Sequence, residues 1–362
     1  MIKESKAYKY ADWVVCDSGK ETGKYIKKQC EEWLKIANGD SDVAYTDESA
    51  YARIEKILKL IIHPDLKCDM NEGLESYAHL FIVALLCTKE RNPNDDIRYY
   101  DTGVLEIARK NFKTFTAAVI FILLLLTEPR FSRFFSVAPD LALSSELKVA
   151  LNKIIKSSPA LYSENFKAFK LLRREQRCIL TESVYEPLAY SKDSMDGRMA
   201  NAFLADESGL LDAYPVEAMR SSQIILPNKL GIVISTQYPN DNNVFVDEID
   251  ISKKVLDGLL ELRYFSLLYE PDEELYKNDG WMTNDLVLKQ SNPVALNHER
   301  IFKNLKEKRS IAILYEDKRE NFLCKHCNIR YKSLGTEGYI EVTKVIRCRI
   351  EPNPEFWIGK KV

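Results

Sequence analysis

Three short apolar runs constrain this chain more than any other feature, because each stops abruptly in polar residues. Residues 104–108 (VLEIA) lead into a polar turn at 109–113, and a hydroxyl at Thr114 opens a hydrophobic, helix-like run to 126. Residues 202–207 read AFLADE, tipped by Asp206 and Glu207, and residues 230–237 read LGIVISTQ, tipped by Ser235, Thr236 and Gln237. Short apolar runs alternating with helix-like segments from 104 onward argue for α/β units around a mostly parallel sheet. In such sheets ligands bind beyond the carboxyl ends of the strands, which is where these polar tips fall.

Length and charge narrow the options. At 362 residues the chain can bury one large or two ordinary cores without staples. Its formal charge of −2 supplies no global basic field, so nucleic-acid contact would need a local patch. Eight scattered cysteines form no even framework and read as reduced thiols in a cytosolic compartment. The longest apolar run, 117–126, is about half of what a membrane-spanning helix needs and reads as a buried core helix.

Taken in order, residues 1–70 are helical in pattern, with Tyr25, Ile26, Cys30, Trp33, Leu34 and Ile36 recurring near the 3.6 period. Further helices are expected over 50–62, 74–86 and 143–156, with a strand at 134–138. The stretch 168–177 carries Arg173, Arg174 and Arg177 and reads as a solvated helix face, with DNA or phosphate contact as the alternative; a strand follows at 178–181. Later segments read as a helix over 251–265, an acidic loop over 270–279, a charged helix over 297–310 and strand-like pieces over 331–357. The expected organisation is a helical segment (1–73), an α/β core (74–245) and a smaller subdomain (246–362).

The phosphate-loop pattern G-x-x-x-x-G-K-[ST] is half matched. Ile107 and Phe112 stand where glycines are usual, and only Lys113 and Thr114 agree. Lys113 can neutralise phosphate charge, Thr114 and Asp206 can hold Mg²⁺, and Glu207 can orient and deprotonate a water. Each pair alone is common, as a helix start or a helix cap. In the right order about 90 residues apart, each after an apolar strand, they favour a P-loop ATPase. Cys324 and Cys327 enclose His326, yet no second ligand pair follows at a usable spacing, so unligated thiols are expected. His63, His79 and His298 are isolated, and Asp241, Asp247, Glu248 and Asp250 read as the solvated edge of a turn and short strand.

The flanks of these motifs resemble the large terminase subunits of tailed bacteriophages. EIARKNFKT is similar to that family's P-R-K-N-G-K-[ST] loop, with Ala108 for the proline and Phe112 for the glycine. SMDGRMANAFLADE (194–207) resembles its S-L-D-G segment running into an acid-tipped strand, and LGIVISTQ its coupling strand. Trp281 with Ser291, Asn292 and Pro293 resembles its W…A-N-P segment, and NFLCKHCNIRY its F-L-x-K-x-x-N-x-W/Y linker.

The resemblance spans about residues 8–360 and implies a P-loop motor that hydrolyses ATP to drive viral double-stranded DNA through a portal protein into a procapsid. It implies nucleotide contacts from Ala108, Arg109, Lys110, Asn111, Phe112, Lys113 and Thr114, with Arg109 and Lys113 catalytic. Mg²⁺ would lie on Thr114 and Asp206, Glu207 would be the base, and Ser235 and Thr236 would sense the γ-phosphate. Where the family usually has an adenine-reading glutamine, this chain offers His79. Arg130 and Arg133 are candidates for an arginine acting on a neighbouring subunit. Implied partners are the portal, the small terminase subunit and a homo-oligomeric ring on the procapsid, with a monomer in isolation as the alternative. The setting is the host cytoplasm, without a membrane. The family normally continues past a segment like FWIGKKV (356–362) into a nuclease, so no DNA cleavage is expected from this polypeptide. A catalytically impaired fragment that serves as a binding or assembly module is the competing reading, with Phe112 as the deciding residue, and a P-loop ATPase outside packaging is a third.

Overall fold

The computed structural model describes residues 1–16, 20–92, 96–190 and 197–332. The start of the SMDG segment (194–196), the strand-like pieces expected beyond 332 and the FWIGKKV segment lie outside the described residues.

The chain folds around an α/β sheet. A small antiparallel pair, β1 (Ala44–Thr46) and β2 (Thr88–Glu90), stands apart from it. The main strands are β3 (Thr102–Glu106), β4 (Arg133–Ala138), β5 (Phe169–Leu171), β6 (Gln176–Cys178), β7 (Val184–Ala189), β8 (Ala202–Asp206), β9 (Leu230–Ser235) and β10 (Tyr264–Leu268). Among the described residues they form one eight-stranded sheet in the order β10-β3-β9-β8-β4-β7-β6-β5. All neighbours from β10 to β7 are parallel, and β6 and β5 close the far edge antiparallel. β3, β8 and β9 are buried along their whole length, as expected of central strands covered on both faces. In register, Glu106 lies beside Ser235 and Asp206 beside Ile234, so the three polar strand tips meet at one carboxyl edge.

Helices cover both faces. The N-terminal helices are α1 (Lys6–Cys16), α2 (Lys24–Asn38), α3 (Glu48–Leu60) and α4 (Ser76–Cys87). They dock on the β10 side, where the Gln29 side chain accepts from the Ser266 N–H at 2.7 Å and the Tyr10 and Tyr269 hydroxyls meet at 2.8 Å. Helix α5 (Lys113–Thr127) is apolar all round, as a helix enclosed by other layers must be. It is buried continuously from Thr116 to Leu125, sharing one core with α4 and α6 (Leu141–Ser157). On the opposite face, α7 (Tyr214–Ser222) and α8 (Val244–Leu256) pack a second core. Finally α9 (Asp285–Ser291), α10 (Glu299–Leu314) and α11 (Glu316–Cys327) gather around Trp281, Leu288, Leu305 and Phe322. No described helix is long and apolar enough to cross a membrane.

Several expected elements differ. The helix read over 168–177 is the β5–β6 hairpin: Phe169, Gln176 and Cys178 are buried at alternate positions while Lys170 and Arg177 are exposed, so the period is two. Arg173 and Arg174 sit in its turn, and the strand read over 178–181 starts earlier and ends at Cys178. Strand β7, disguised by Pro187, escaped the sequence reading. The helix read over 251–265 merges the end of α8 with β10. Asn243 caps α8 by accepting from the Val246 N–H at 3.1 Å, and a turn with Gly258 at φ 73° separates the helix from the buried run YFSLL. The sheet therefore draws a strand from beyond residue 245. Asp247, Glu248 and Asp250 lie on α8, not in a turn and short strand, and Glu248 is buried in a two-pronged pair with Arg220 at 2.6 and 2.8 Å.

Candidate active site

The carboxyl edge of β3, β8 and β9 brings four of the expected residues together. Lys113, the first residue of α5, donates to Asp206 Oδ1 at 2.8 Å and reaches Glu207 Oε1 at 2.9 Å. Thr114 Oγ1 donates to Asp206 Oδ2 at 3.2 Å. Burial alone would lower the Lys113 ammonium, but the two carboxylates outweigh it and hold it above the ordinary lysine value. Burial likewise works to raise the Glu207 carboxyl, and Lys113 together with the Tyr238 hydroxyl overcomes this and holds it below the usual range. The site is thus an ion cluster in which one cation bridges two acids.

The loop itself is braced from behind. Arg109 and Lys110 are exposed at its tip, whereas Asn111 is 2% exposed. The Asn111 side chain donates to the Ala108 carbonyl at 3.0 Å and to Asn292 Oδ1 at 2.8 Å, and accepts from the Val294 N–H at 3.2 Å. Its backbone carbonyl accepts from Tyr77 of α4. The Ala108 N–H donates to Ser291 at 3.3 Å and the Arg109 N–H to Lys325 at 2.8 Å. Asn111 is therefore a scaffold residue, and the N–H groups of Ala108 and Arg109 are already engaged. The unpaired donors of the first turn of α5 remain to face an anion.

Phe112 caps α5 at φ 63°, ψ 26°, the left-handed conformation that glycine adopts freely. An L-residue there carries strain of about 1–2 kcal/mol. The residue is 49% exposed, so it takes the glycine-like backbone conformation with its side chain at the surface. Glu207 is also left-handed, at φ 48°. Lys110 in the same loop is left-handed too, at φ 70°, and backbone strain gathered in this way is common where functional groups are held in place.

Sequence reasoning missed the residues that connect the strand tips. The Tyr238 hydroxyl donates to Glu207 Oε2 at 3.1 Å and also meets Arg109. Its ring lies against Gly209, where a Cβ would come within 2.4 Å of it. Ser235 Oγ accepts from the Gly209 N–H at 3.1 Å, and Gln237 donates to the buried Glu106 at 2.6 Å. The polar end of β9 was legible, but its cross-strand partners depend on a strand order that spacing does not reveal.

Other expected residues stand elsewhere. His79 is buried in α4, bonds the Asn71 carbonyl at 2.9 Å, and is pushed down to about 4 by burial. Arg130 pairs with Glu182, and Arg133, at the amino end of β4, lies 3.9 Å from Glu186, so both are remote from the cluster at the carboxyl edge. Cys324 and Cys327 are buried free thiols, and the described residues contain no group of three or more metal-binding His, Cys, Asp or Glu side chains.

Residues 79–254 match the family model for the ATPase domain of the terminase large subunit. The crystal structure of the HK97 bacteriophage large terminase shares the fold at 22% identity and a TM-score of 0.63, over 77% of this chain and 55% of that one. The chain thus spans about half the length of the HK97 protein. The ATPase domain of the Thermus phage P74-26 large terminase aligns at 14% identity and a TM-score of 0.44, over 69% of this chain and 93% of that one. No curated protein matches the sequence.

Proposed function

We propose, from the premise that residues 79–254 are a terminase large subunit ATPase domain, that the chain hydrolyses ATP at its carboxyl-edge cluster and uses the energy to move double-stranded viral DNA into a procapsid. The observation that carries the reading is Lys113 held between Asp206 and Glu207 at the start of α5. When ATP enters, its phosphates compete for Lys113, and the ammonium exchanges carboxylate for phosphate oxygen. Asp206 and the Thr114 hydroxyl are then free to hold Mg²⁺, a fit supported by their adjacency at the helix start. Held by these two residues, Mg²⁺ would supply positive charge against the phosphates. Glu207, released by Lys113 but still oriented by Tyr238, takes the proton of the attacking water. Ser235 and Thr236 carry the change to β9, and Arg109 and Lys110 at the loop tip add positive charge near the phosphates.

DNA, the portal protein, the small terminase subunit and a ring of copies on the procapsid, in the host cytoplasm, complete the proposal. Mixing the chain with portal-bearing procapsids, DNA and ATP should yield nuclease-protected DNA that ADP does not support. Protection independent of ATP, or none while ATP is turned over, would remove the motor reading.

The impaired-module alternative turns on Phe112. Because the loop already has the glycine conformation with the ring outward, Phe112→Gly should change turnover by less than about threefold, under 1 kcal/mol in the barrier. A tenfold rise would mean that the side chain obstructs the phosphates and would favour the impaired module.

A further inference from the structure

Lys325 is 5% exposed on α11, and its side chain enters the ATP cluster from the C-terminal segment. The ammonium donates to the Gln237 carbonyl at 3.1 Å and to Thr236 Oγ1 at 3.4 Å, and it lies over the Tyr238 ring. Tyr238 in turn holds Glu207. The other strongly buried cations have carboxylate partners: Lys89 with Asp96, Arg98 with Glu128 and Arg309 with Asp285. Among the described residues, no carboxylate forms an ion pair with Lys325. A buried ammonium without a counter-charge is costly, and an arriving anion relieves that cost.

We propose that Lys325 is the second cation for the terminal phosphate of the bound nucleoside triphosphate, supplied by the C-terminal segment rather than by the phosphate loop. The inference rests on the ATP-site reading. Thr236 and Glu207 converge beside Lys325, and a triphosphate seated on Lys113 presents its last phosphate toward the base that serves it. The same residue accepts the Arg109 N–H through its carbonyl, so engagement of its side chain is passed directly to α11 and to the loop. A diphosphate lacks the group that Lys325 reads. Burial, then Arg109, brings this ammonium down to about 7; Lys113 pushes the same way, while Glu207 and Cys324 oppose. Triphosphate binding near neutral pH therefore carries proton uptake onto Lys325.

Calorimetric binding of AMP-PNP and ADP to the full chain tests this, with Lys325→Gln and Lys325→Arg alongside. The glutamine variant should weaken AMP-PNP by about tenfold, or ~1.4 kcal/mol, with ADP within twofold, and arginine should preserve the preference. In the unaltered chain, titrations in buffers of different ionisation heat should show proton uptake with AMP-PNP that ADP lacks. Equal weakening of both nucleotides, or of neither, would make Lys325 a structural tether and overturn the proposal. If the glutamine variant does not fold, the proton count of the unaltered chain decides, and equal uptake with both nucleotides overturns it. An unaltered chain that binds neither nucleotide would instead defeat the ATP-site reading itself.

Discussion

Lys113→Ala is expected to cost the nucleotide-free protein about 3 kcal/mol and to abolish ATP binding, because it strands two carboxylates that are only 7% and 20% exposed. The loss should depend on pH. Glu207 titrates below its ordinary value of 4.5 in the folded chain, so its pairing stabilises above that value and fades as pH falls through the lowered one. Lys113 titrates above its ordinary 10.5, so its contribution is complete below that value and fades as pH rises through the raised one. The gap in melting temperature between variant and parent should be widest between roughly pH 5 and 10 and shrink at both extremes. Thermal denaturation across pH, with an ATP titration at pH 7.5, checks both parts. A variant that melts with the parent and still binds ATP would show that the cluster neither stabilises the fold nor receives phosphate.

Glu207→Gln should lower phosphate release by about 10²–10⁴-fold while leaving ATP binding nearly intact. Glutamine matches glutamate in shape and can still accept from the Tyr238 hydroxyl, and Lys113 keeps Asp206 as partner. What is lost is the ability to take a proton from water. Single-turnover hydrolysis beside equilibrium ATP binding separates the two effects. Hydrolysis within threefold of the parent would exclude Glu207 as the base.

Much of the site was legible because its residues end buried strands, and strand ends are visible in a one-dimensional pattern. Lys113, Thr114, Asp206 and Glu207 come together as their spacing suggested. The bracing role of Asn111 was not legible: the resemblance implied a nucleotide contact, and the side-chain amide is committed to Asn292 and Val294, about 180 residues away. Lys325, the lysine of the NFLCKHCNIRY match, and Tyr238 were not legible as neighbours of the strand tips for a similar reason, since Lys325 reaches Gln237 and Tyr238 reaches Glu207 only through the fold. At the sheet edges, periodicity failed where short segments carried mixed signals. β10 follows a helix after a turn of only a few residues, and β7 contains Pro187. His79, offered only because it stands where the resembled family usually has an adenine-reading glutamine, is buried in α4 and bonded to the Asn71 carbonyl.

The most direct measurement is steady-state phosphate release from ATP by the unaltered chain, with Mg²⁺ and with the metal chelated, beside Glu207→Gln and Lys113→Ala. The expected result is turnover that requires Mg²⁺ and that both variants lack. Turnover no faster than in either variant, from a chain that nevertheless binds ATP, would contradict the assignment of this cluster as the catalytic centre.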